Sequence, residues 1–150
     1  MAGLGAVAES ACEMTTIIAT RELMVSDTRC SFPVPFFAAK IYRAGGSLFG
    51  GAGDSVPIEK FIAWKRGADR PEFGEEDNFT ILELDRDGLW MWDKNLVRLE
   101  VRNKFYAIGT GAQYAMGAME AGATPAEAVK ISARYDEHTG LPIETMKLEG

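Results

Sequence analysis

A threonine whose own amino group is free can act as a nucleophile without help from histidine. The α-amine titrates near pH ~8, so it can take the hydroxyl proton itself. Such a site needs three more parts. A nearby lysine keeps the amine neutral and helps activate the hydroxyl. An aspartate holds the lysine. Backbone amides at a glycine turn receive the oxyanion. The chain carries each part at a strand end or turn: Thr15 in "MTTIIAT", Asp27 in "VSDTR", Lys40 in "AAKIYR", and Gly50 or Gly51 in "FGGAGD". Thr15 follows Met14 and a leader rich in small residues. The chemistry therefore requires that residues 1–14 be a removable leader or propeptide, or lie upstream of the true start.

Rival chemistries find fewer parts. A Ser-His-Asp site would have to use His138, which stands in a polar turn between Glu137 and Thr139. The glycine turn in "AIGTGAQYAMG" is placed as a dinucleotide loop would be. It has Tyr114 where the third glycine belongs, and no acidic residue closes a βαβ unit. A ligand-binding module built on Gly109–Gly111 is the remaining non-enzymatic use of that turn. Cys12 and Cys30, with one histidine, make neither a disulfide framework nor a metal site. No cofactor is expected, and a reduced, cytoplasmic setting is the default. A net charge of −6 leaves no basic stripe for nucleic acid. No apolar run approaches the ~20 residues of a membrane helix.

At 150 residues the chain fits one domain with a core of its own. β-Branched runs predict strands at Thr15–Arg21, Leu23–Arg29 and Ala39–Gly46, and then at Ser47–Asp54. Asp54 or Ser55 caps a helix near Val56–Arg66, with Pro57 in its first turn. An acidic loop follows, then a hairpin of "FTILEL" and "GLWMW" around "DRDG". "FYAIGTG" is a strand running into a helix that ends at Gly122. "TPAE" (Thr124–Glu127) reads as a capping box opening a helix to Tyr135, and "PIETMKL" closes the chain as a strand. Strands at both ends with helices between them predict an α+β sandwich.

Taken together, these segments resemble the proteasome β-subunit/HslV family of N-terminal-nucleophile hydrolases. "MTTIIAT" resembles the mature start of HslV-type subunits, and "MVSDTR" the second strand. "AKIYR" resembles the lysine-bearing strand, "LFGGAGDS" the oxyanion turn, "YAIGTGAQYAMGAM" the Gly-Ser-Gly segment with Thr110 for serine, and "YDEHTG" the turn packed against the nucleophile. The resemblance runs in order from Thr15 to Leu148. It implies an αββα sandwich of two antiparallel sheets over residues 15–150. The first helical layer is reduced, because only one short helix fits before the hairpin.

The resemblance further implies that Thr15 is the nucleophile of a threonine peptidase, with Lys40 lowering its effective pKa and Asp27 pairing with Lys40. Thr110, Asp136 and Thr139 would gather near the terminal amine. Ser31 and Ala52 would pair with an extended peptide, and Cys30, Ala38 and Tyr42 would line the pocket for the residue before the cut. A peptide or unfolded-protein substrate, a homo-oligomer that could be a ring, and an ATP-dependent unfoldase partner belong to the same expectation. Its rival is a structural or assembly subunit of the same fold that has lost activity.

Overall fold

The computed structural model describes residues 15–30 and 34–149. The leader 1–14 and Ser31 therefore lie outside the described residues. Eleven strands and three helices are described, in the order β1 (Ile17–Ala19), β2 (Leu23–Asp27), β3 (Arg29–Cys30), β4 (Phe36–Phe37), β5 (Ile41–Ala44), β6 (Ser47–Gly53), α1 (Ser55–Lys65), β7 (Phe79–Asp85), β8 (Gly88–Trp92), β9 (Arg98–Val101), β10 (Tyr106–Ile108), α2 (Ala112–Glu120), α3 (Pro125–Tyr135) and β11 (Ile143–Lys147).

Two antiparallel sheets stack. One has the order β10-β1-β2-β11 and the other β5-β6-β7-β8-β9, with β3 and β4 forming a small separate ribbon. Alternation along β1 and β2 produces this layering. Ile17, Ala19 and Met24 face inward and pack with Leu48, Leu82, Leu84 and Leu89 of the second sheet. Ile18 and Val25 face outward, beneath Ala115, Ala128 and Val129 of α2 and α3. On the far side, α1 lays Ile58, Phe61 and Ile62 onto Phe49, Ile81 and Trp92. The fold is thus the expected α+β sandwich, with a single helix among the described residues in the first helical layer.

Local signals held in most elements, with two instructive differences. Asp54 stands at the N-cap of α1 but makes no side-chain cap bond. Its Oδ2 instead accepts the Asn78 amide at 3.1 Å, tying the start of the helix to the start of β7. The second difference is β9, which was not expected. "RLEV" is exposed at its first three positions and becomes a strand only because it pairs along β8. No helix among the described residues is long and apolar enough to cross a membrane.

The capping box of α3 is fully formed. Thr124 Oγ1 accepts the Glu127 amide at 3.2 Å, and Glu127 Oε1 accepts the Thr124 amide at 2.9 Å. Thr124→Ala should lower unfolding stability by about 1 kcal/mol, read as a shift in urea midpoint at unchanged slope.

Candidate active site

The site gathers at one end of the β1–β2 sheet. Thr15 lies two residues before β1, and Asp27 is the last residue of β2; both are fully buried. The Thr15 hydroxyl donates to Asp27 Oδ1. The same oxygen accepts the Thr16 amide at 3.2 Å and Lys40 Nζ at 3.0 Å. Asp27 Oδ2 accepts the Gly140 amide at 3.0 Å, so the carboxylate is held on both oxygens. Lys40, 3% exposed just before β5, also donates to the Arg29 carbonyl at 2.6 Å. Burial lowers the Lys40 pKa below 10.5, and the Asp27 carboxylate opposes that shift. The balance leaves a deprotonated amine easier to reach than on a solvated lysine.

A second cluster backs the first. Thr110 and Thr139 each donate to Asp136 Oδ2 at 2.7 Å. Thr139 thereby commits its proton, so Thr16 is the donor in the 2.8 Å Thr16–Thr139 hydroxyl contact. The Thr110 hydroxyl also stands 3.5 Å from the Thr15 carbonyl, which accepts the Gly111 amide at 3.2 Å. Two glycines permit this approach. A Cβ at Gly109 (φ +101°) would collide with the Thr15 carbonyl, and one at Gly111 with the Thr16 hydroxyl. Burial alone would raise the Asp136 pKa. Hydrogen bonds from Thr139, Thr110 and the His138 amide outweigh it and hold the carboxyl below its ordinary 3.8.

The structure moves one expectation. The Gly51 amide donates to the Lys40 carbonyl at 3.2 Å, so it is not free for an oxyanion. Gly50 is a mid-strand residue paired between Ile41 and Leu82, with its amide turned the opposite way. By the same alternation the Gly53 amide faces the β5 side, beyond Lys40, where β5 has not yet begun. Gly53 (φ +122°) ends β6 and borders a cavity of about 230 Å³ with Ala52, Thr80, Gly109 and Thr110. Ala38 and Tyr42 line a different, smaller cavity beside Lys40. Cys30 is buried and disulfide-bonded, against the expectation of reduced thiols, which leaves the cytoplasmic expectation without its cysteine argument.

Thr16, Gly140 and the Arg29 carbonyl are parts that sequence reasoning missed. The alternation of β1 does place Thr16 on the face of Ile18, toward the "YDEHTG" turn. No residue type marks a backbone amide or carbonyl for such work. Among the described residues, no group of three or more His, Cys, Asp or Glu could hold a metal ion.

This arrangement of sheets is shared with solved structures. Thiobacillus denitrificans BPH in complex with epoxomicin superposes with a TM-score of 0.68 at 19% identity, over 91% of this chain and 99% of that one. The same protein in a second structure gives 0.68 at 20% identity, over 90% and 98%. Eukaryotic HslV from Trypanosoma brucei gives 0.68 at 17% identity, over 89% and 98%. The chain has the fold of HslV-type N-terminal-nucleophile hydrolases. No family model matches the sequence, and no curated protein matches it.

Two outcomes are expected. Lys40→Met leaves a fully buried carboxylate without its cation and should cost about 3–5 kcal/mol of unfolding stability by chemical denaturation. Because the folded Asp136 pKa is depressed, its stabilisation is complete above about pH 3.8 and is lost as pH falls through the folded value. A Thr110→Val/Thr139→Val variant should therefore unfold at higher pH than the wild type in an acid titration followed by circular dichroism.

Proposed function

We propose that this chain is a threonine-type peptidase that hydrolyses peptide amide bonds through Thr15, once residues 1–14 are removed. The observation that carries the reading is the hydrogen-bonded set Thr15–Asp27–Lys40, buried beside the Thr110–Asp136–Thr139 cluster. In the full chain the Thr15 nitrogen is a peptide nitrogen, bonded to Met14. Removing the leader converts it into an amine that can serve as base.

The reaction then runs in two halves. The terminal amine takes the Thr15 hydroxyl proton as Oγ1 attacks the substrate carbonyl carbon. Lys40, held by Asp27 and the Arg29 carbonyl, supplies positive charge beside the developing alkoxide. The oxyanion is received by the Gly53 amide, in place of Gly50 or Gly51. The carbon–nitrogen bond breaks as the amine returns its proton to the leaving nitrogen, leaving an ester on Thr15. Water, deprotonated by the same amine, attacks that ester and frees Thr15. Asp136 with Thr110 and Thr139 fixes where the amine sits. The backbone of Ala52 faces β7, opposite Thr80, so it does not pair with an extended substrate on the open side of β6. A homo-oligomer, as a ring, and an ATP-dependent unfoldase that feeds it belong to the same proposal.

Intact mass spectrometry after incubation with epoxomicin, which the similar Thiobacillus denitrificans protein binds, tests this reading. A chain beginning at Thr15 that gains one inhibitor mass on that residue is the expected result, and Thr15→Ala should lose the adduct while staying folded. A purified protein that retains Met14, forms stable oligomers and takes no adduct would instead be the inactive structural subunit.

A further inference from the structure

The cavity beside Lys40 carries information about which bonds would be cut; the inference rests on the peptidase reading. It measures about 80 Å³ and is bordered by Ala38, Lys40, Tyr42, Gly51, Ile58 and Glu59. For scale, an engineered cavity of about 150 Å³ accommodates benzene.

Its inner walls have little freedom to retreat. The floor is the Gly51 backbone against Ile58, and a Cβ on Gly51 would stand 2.7 Å from Ile58 Cγ2. Ile58 is 4% exposed and packs in the same cluster as Phe61 and Ile62, so α1 cannot withdraw without opening its core. Lys40 is fixed by Asp27 and the Arg29 carbonyl. The outer wall is a bridge from β5 to α1. The Tyr42 hydroxyl shares its one proton between the Ala39 carbonyl at 3.1 Å and Glu59 Oε1 at 3.2 Å. Burial, then the neighbouring Glu59 carboxylate, pushes the Tyr42 pKa up to about 12, so the bridge keeps its proton at any ordinary pH.

We infer that the Tyr42–Glu59 bridge closes this pocket to all but short, uncharged side chains. The chain therefore cuts after residues such as alanine, serine or valine. Leucine, phenylalanine and arginine overfill the volume. Aspartate and glutamate would bring a second carboxylate against Glu59. Glu59 acts as a specificity determinant, since it touches neither Thr15 nor its hydrogen-bond partners in the site.

The test uses the chain processed to Thr15 and a set of peptide epoxyketones differing only in the residue next to the warhead: alanine, valine, leucine, phenylalanine, arginine and aspartate. Labelling rates at Thr15 are read by mass spectrometry. The alanine and valine probes should react faster than the others by on the order of tenfold or more, the range one misfitting methylene sets. Glu59→Ala should bring the leucine rate to within a few-fold of alanine. Glu59→Gln, which keeps the length and an acceptor for Tyr42, should retain the wild-type ranking against leucine. Equal labelling by leucine or phenylalanine in the wild type, or an unchanged ratio in Glu59→Ala, overturns the inference and leaves the peptidase reading standing. No labelling by any probe overturns the peptidase reading and this inference with it.

Discussion

The site depends on one buried ion pair. Asp27 is fully inaccessible and Lys40 is 3% exposed, with 3.0 Å between them. Two charges taken that far out of water are tolerated only when every remaining lone pair and proton is satisfied. The surroundings meet that demand with backbone groups and hydroxyls. The Gly140 and Thr16 amides and the Thr15 hydroxyl complete Asp27, and the Arg29 carbonyl supports Lys40. Three remote parts of the chain must converge on one carboxylate. That requirement fixes where β2 ends, where β5 begins and how the turn before β11 is placed.

The hydrogen bonding is also asymmetric in a useful way. Asp27 organises donors that arrive from the sheets, while Asp136 organises hydroxyls that arrive from turns beneath α2 and α3. Thr16 joins the two systems through Thr139. Networks of this kind hold their members in one geometry because each unmade bond would leave a polar group buried. Thr15 lies between the two carboxylate systems, and preorganisation there is what a chemical step would draw on.

The reduced helical layer has a physical counterpart in the second sheet. Among the described residues one helix, α1, lies on that face, and its Phe61 and Trp64 pack edge to face against Phe49 and Trp92 of the sheet. Trp92 and Trp64 meet edge to face, with the Lys65 ammonium 4.0–4.3 Å from the two ring centres. Glu83, buried beneath them, accepts hydrogen bonds from Ser47, Trp92 and Arg98. Lys65 and Arg98 place their charges over the Trp64 and Trp90 rings, which adds electrostatic attraction to the apolar packing.

The sequence by itself determined the local structure and the chemically distinctive side chains. β-Branched and apolar runs in "TTIIA" and "LMVSD" marked strands, "TPAE" marked a helix start, Thr15, Asp27 and Lys40 stood out by type and order, and the family resemblance added Thr110, Asp136 and Thr139. Those signals are short-range: period, capping chemistry and turn residues act within a few positions. Tertiary structure alone decided what meets what. It committed the Gly51 amide to Lys40 and left Gly53 at the strand end, because pairing register is set by a neighbouring strand that no local pattern names. It made "RLEV" a strand through β8, and it set Glu59 against Tyr42 across 17 residues. Backbone amides and carbonyls are the same at every residue but proline, so their work at Gly140 and Arg29 became visible only once the chain had folded.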